Sequence, residues 1–202
     1  MYLLFLLLVV VAVFLRLFKI MGKNEYSNHE TTPSIKPAVE SLNAKSNNTK
    51  QNNSLTSKIL AVKNVYSDFV PEIFVKQAEQ TFDEVFNAFA SSQHQVLKTK
   101  LSESLYEQFA TQIQKRELHN LRQEISIKHK NTEIMDIKVT PSNIEITVNF
   151  KVEQVSAMVD MNGVSIDNPS KLSRSVQHVW VFVANNVSQP EWIITKTDAK
   201  EL

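Results

Sequence analysis

At 202 residues with a formal net charge of +1, the chain has room for one ordinary domain plus appendages. It has no Cys and two Gly, which excludes disulfide staples, thiolate metal sites and glycine-rich phosphate-cradling loops. The near-neutral total hides an asymmetry. Residues 1–63 carry eight Lys/Arg against three Glu, and residues 64–202 carry fourteen against eighteen Asp/Glu; the acidic remainder argues against nucleic acid as a partner.

The chain opens on an uncharged apolar run whose bulky members are Leu3, Leu4, Phe5, Leu6, Leu7, Leu8, Val9, Val10, Val11, Val13, Phe14 and Leu15, followed by Arg16 and Lys19. As a helix to Phe18 it would measure roughly 27 Å at ~1.5 Å per residue, close to the hydrocarbon thickness of a bilayer. No side-chain cation precedes the run and no small-residue cleavage site follows it, so a retained anchor over residues 1–20 is favoured over a secretory signal. The cations all follow the span, and the positive-inside rule then places the bulk of the chain on the cytoplasmic side of a bacterial inner membrane, as a single-pass protein.

Residues 21–54 are rich in Asn, Ser, Thr and Lys and too poor in bulky aliphatics to offset the entropy of ordering, so they read as a linker. Residues 55–66 change character. Leu55, Ile59, Val62 and Tyr66 share one helical stripe flanked by Lys58 and Lys63. Such a helix either lies in a lipid interface or docks on the domain that follows, residues 67–202.

Asp68 with Pro71 and Glu72 signals a helix start, and Phe74, Ala78, Phe82, Val85, Phe86 and Phe89 then form one wide apolar face. Ser91-Ser92-Gln93 interrupts it. Ser104 with Glu107 has capping-box spacing, and Leu101, Leu105, Phe109 and Ile113 repeat every fourth residue. From Ile125 the period falls to two. Glu133–Val139 and Asn143–Val152 predict strands, and Val155–Met161 and Val164–Ile166 flank Asn162-Gly163, a hairpin-turn signal. Ser175–Ala184 is apolar on both faces, which predicts a doubly covered strand; Trp192–Thr197 predicts the last. Helices followed by an antiparallel meander predict an α+β fold, the helices packed across one face of a curved sheet.

The five His are scattered without metal-ligand spacing, no catalytic motif is present, and no metal, cofactor or catalytic residue is expected. His178 is in phase with Val176, Trp180 and Phe182, as a core or pocket-rim histidine or a general base. A cone of helices on a curved sheet can enclose a cavity for an apolar ligand. Its candidate lining is Phe86, Tyr106, Phe150, His178, Trp180, Phe182 and Trp192.

Several pieces of this half resemble the Tim44-like domain family in order and spacing: Phe86-x-x-Phe89, Tyr106-x-x-Phe109, Arg116-Glu117, Ile144-x-Ile-Thr-Val-x-Phe150, Asn162-Gly163, Trp180-Val-Phe182 and Pro190-Glu-Trp192. His178 stands where the family usually has Asp. The resemblance implies a cone similar to the nuclear-transport-factor-2 fold. It also implies a non-enzymatic, membrane-anchored adaptor of bacterial type whose partners are proteins, among them translocation or chaperone components. The other reading is a cone that binds a small apolar ligand or acts on one in its cavity.

Overall fold

The computed structural model describes residues 54–168, 170–186 and 190–202. The order is four helices, then four strands. The helices are α1 (54–65), α2 (Pro71–Ala90), α3 (His94–Lys100) and α4 (Glu103–Leu118); the strands are β1 (Arg122–Val139), β2 (Ile144–Val159), β3 (Arg174–Ala184) and β4 (Ile193–Glu201). All strands are antiparallel, in the spatial order β1-β2-β3-β4.

The helical starts are set by backbone chemistry more than by the expected caps. α2 begins on Pro71 at its first position, with Glu72 in the first turn, but Val70 holds the cap position and Asp68 does not cap it. At α4 the cap position is Ser102, one turn-edge earlier than the Ser104–Glu107 box, and its side chain makes no capping bond. The break at Ser91-Ser92-Gln93 is real: Ser92 adopts φ 56°. Arg116 seals this corner. Its guanidinium donates to the Phe89 carbonyl at 2.8 Å and to Ser92 Oγ at 3.0 Å, and lies 5.1 Å from the Phe89 ring centroid. A fixed cation thus meets the negative end of α2. Burial, the dominant influence, lowers the pKa of Arg116.

The strands are longer than the sequence pattern shows. β1 runs unbroken from Arg122, and β2 continues through Val155 to Val159; beyond it Asn162-Gly163 turns the chain back as expected, so that Ser165 bridges Val159 and the Ile166 N–H donates to the Met158 carbonyl at 2.8 Å. The two pair along their whole length, with register shifts between His129 and Asn131 and between Ile134 and Asp136. On β2, Ile144, Ile146, Val148, Phe150 and Val152 are 0–2% exposed and face the helices; Thr147 and Lys151 face away.

Two expectations are corrected here. The sheet is an open four-stranded meander with β1 and β4 at its two edges, not a curved cone closing on itself. Among the described residues no helix is long and apolar enough to cross a membrane. Even α2, with 20 residues, turns Glu72, Lys76 and Glu84 outward, and these charges bar it from hydrocarbon. The membrane-anchored reading is corrected to that extent: the transmembrane helix, the single-pass inner-membrane location with a cytoplasmic domain and the membrane as partner have no spanning helix behind them among the described residues. The run Leu3–Lys19 assigned to the anchor lies outside the described residues, as does all of the linker reading except Ser54. Of the two readings left open for α1, docking on the domain is the one its packing follows. Val62 is fully buried, Leu55, Ile59 and Tyr66 pack against the same core, and Lys58 pairs with Asp136 of β1; Lys63 stays exposed.

Two outcomes follow from this packing. Trp180→Ala should lower the unfolding free energy by about 3–5 kcal/mol, as truncating a buried aromatic does; a loss under about 1 kcal/mol in denaturant unfolding would contradict the assigned core. Arg116→Lys keeps the charge but loses the fork, and should cost about 1–3 kcal/mol in the same assay.

Candidate functional site

The sequence-predicted cavity residues divide into three groups. Phe86, Phe150, His178 and Trp180 gather around Phe82 of α2, whose ring centroid lies 4.6 Å from those of Phe86, Phe150 and Trp180 and 5.1 Å from that of His178. Phe182 and Trp192 gather instead around Phe74, one helical stretch away, at 5.7 and 4.8 Å. Tyr106 stands apart on α4, hydrogen-bonded to His94 Nδ1 at 3.1 Å with Lys98 over its ring. Phe82, Phe150, Trp180 and Phe182 are each 0–1% exposed. They fill the space that a cone would have left open. Two open surface grooves lie elsewhere: one on α3 and α4 around His94, Tyr106, Glu107 and Gln114, the other between α2 and β1 around Asp83, Asn87, Ile125 and Ile127.

Polar groups inside this packing are few, and two of them, Trp180 Nε1 and His129 Nδ1, have no hydrogen-bond partner among the described residues. His178 donates from Nε2 to Gln154 Oε1 at 3.1 Å. The amide oxygen can only accept, which fixes the tautomer. Burial pushes the pKa of His178 down to about 4, so the ring is neutral at physiological pH. The nearby His129 bonds Asp83 Oδ1 at 2.9 Å. A general base needs a reachable proton on a substrate, and His178 at 5% exposure faces two phenylalanine rings instead. Among the described residues no three His, Asp or Glu converge to hold a metal ion.

The surface carries two apolar features that the helices leave uncovered. The first is the β2–β3 loop. Asp160 Oδ1 accepts the backbone N–H groups of Asn162 and Val164, both at 2.8 Å, which holds its carboxyl below the usual range, the Val164 bond acting most. Gly163 supplies the φ of +79° that the turn requires. Asn168 ties the returning arm through the Ser156 and Leu172 carbonyls and the Leu172 N–H. On this braced frame Met161, Val164 and Leu172 are 77, 59 and 63% exposed.

The second is the outer face of the sheet. The strand β3, expected to be covered on both faces, is covered on one. Its buried residues His178, Trp180, Phe182 and Ala184 alternate with half-buried Val179, Val181 and Val183, which point away from the helices. Across this face the register sets Lys151, Gln177 and Lys200 in one row, Thr147, Val181 and Lys196 in another, and Glu145, Val183 and Ile193 in a third. The Val stripe was legible in the sequence as the second apolar face of β3; the lysines beside it come from register and were not.

Geometry thus defines an α+β domain of four helices on one face of an open antiparallel sheet, with a filled interior. The chain belongs to the Tim44-like domain family, whose model matches residues 55–199. No curated protein matches the chain. Among solved structures it is similar to the intermembrane-space region of the chloroplast protein ARC6, with 9% identity and a TM-score of 0.44 over 63% of this chain and 97% of that one. A conserved protein from Planctomyces limnophilus gives 10% and 0.37 over 62% and 94%. CagV, a VirB8 homologue of Helicobacter pylori, gives 12% and 0.32 over 57% and 84%.

The depressed pKa of His178 has a measurable consequence. As pH falls from the unfolded value of 6.5 towards 4, the unfolded chain takes up a proton that the folded chain refuses. Stability present above pH 6.5 is therefore lost across that window, by roughly 3 kcal/mol at ~1.4 kcal/mol per unit. His178→Gln should flatten the unfolding midpoint over this range; an unchanged slope would contradict the burial of a neutral imidazole.

Proposed function

We propose that this chain is a non-enzymatic protein-docking domain. One observation carries the reading: the layer between helices and sheet is occupied by Phe82, Phe150, Trp180 and Phe182, each essentially unexposed, so the fold offers a substrate no interior there. What the domain presents outward is braced apolar surface, on the β2–β3 loop and on the outer sheet face. Apolar area held out by an ordered frame is the usual mark of a protein contact. Family membership supports the same conclusion.

The test is site-specific photo-crosslinking of the full-length chain in its own cells. Crosslinkers replace Met161, Leu172 or Val181 on the apolar surfaces, and Gln80 on the polar face of α2 serves as the reference position. The reading requires discrete protein adducts of reproducible mass from at least one apolar position and none from Gln80. Absence of adducts from every apolar position would overturn it.

A further inference from the structure

The outer face of β2, β3 and β4 combines an apolar stripe with an unbalanced charge pattern. Val179, Val181 and Val183 run along β3, two residues apart, and Ile193 extends the stripe onto β4. Two of the four carboxylates near this face are held in ion pairs. Glu145 pairs with Lys138 at 2.7 Å, Glu153 with Lys130 at 2.8 Å, and Glu133 accepts from Asn149 Nδ2 at 2.9 Å. Asp198, the exposed acid of β4 on this side, stands beside Val179 between Lys196 and Lys200 and accepts its neighbour's N–H from Ala199 at 2.9 Å; it and Glu133 meet neutral donors and keep their charge. Lys151, Lys196 and Lys200 are exposed and form no ion pair among the described residues.

Resting on the protein-docking reading above, we infer that this face receives an acidic amphipathic helix of a partner protein. The dimensions fit. Lys151 and Lys200 flank Gln177 from the two neighbouring strands, which sets their backbones about 10 Å apart, the width of a helix. Val179 to Val183 spans about 13 Å, the reach of apolar positions over two to three helical turns. A helix laid along β3 would place its apolar face on the valines and its carboxylates beside Lys151 and Lys200 on the flanks and Lys196 next to Val181. Charge of this kind selects orientation and partner more than it adds affinity. Single-stranded nucleic acid fits less well: it wants aromatic platforms, and Phe150, Trp180 and Phe182 all point to the opposite, helical face.

The test uses the full-length chain and three probes read by fluorescence anisotropy or co-sedimentation. The first is a synthetic helix of about five turns with leucine on one face and glutamate on the other; the second has lysine in place of glutamate. The third is a vesicle of phosphatidylglycerol. The acidic helix should bind at least about tenfold tighter than the basic one, and more weakly as salt rises. The charge-reversed triple variant K151E/K196E/K200E should invert that preference, and Val181→Asp should abolish binding of both. Thermal unfolding of each variant confirms that the fold is retained. Equal binding of the two helices, binding of neither, or binding of the vesicle alone would each overturn the inference. Those failures leave the docking reading standing if the loop positions still crosslink; loss of all crosslinks takes both down.

Discussion

The packing of Phe82 against the sheet is the contact on which this domain depends. One ring from the middle of α2 touches β2 through Phe150 and β3 through Trp180 and His178, and closes over Phe86 on its own helix. Aromatic pairs of this geometry add to the burial of their area. A second aromatic, Phe74, repeats the device two turns earlier against Phe182 and Trp192. Between them they fix the angle of α2 across the sheet. α1 then has a shelf for Val62, and α4 comes close enough for Arg116 to seal the end of α2.

That arrangement decides where function can reside. An open sheet with helices on one side has an interior only as large as its side chains leave it, and here large rings take the space. His178 with Gln154 and His129 with Asp83 are anchored to one another, while Trp180 Nε1 has no partner among the described residues. On the proposed docking reading, the uncovered face of the sheet and the β2–β3 loop are what a partner would meet, and the unpaired lysines of β2 and β4 would give the first of these a charge preference.

Much of the architecture was legible in the residues. The apolar face of α2 was visible as Phe74, Ala78, Phe82, Val85 and Phe89, and the alternation Ile144–Val152 marked an interior strand, because period follows directly from backbone geometry. Other features were not. The opening half of β1, Arg122 to Thr132, is polar and reads as a strand only because β2 pairs with it residue by residue. Asn162-Gly163 does turn the chain, with Ser165 bridging Val159, but Asp160 and Asn168 tie the residues around it into a longer loop through side-chain bonds that no periodicity encodes. Whether a sheet closes into a cone is also a tertiary property. The ring of aromatics expected to line a cavity was recognised as a set, but their sizes summed to a filled layer. The second apolar face of β3 predicted a cover that this chain's described residues do not supply.

The central claim is that side chains occupy the space between helices and sheet. The most direct measurement is a crystal structure of the protein under xenon pressure, since xenon enters dry apolar cavities and ignores well-packed interiors. The account predicts no xenon site among Phe82, Phe150, Trp180 and Phe182. An ordered xenon atom bound between those rings would show a cavity there and contradict it.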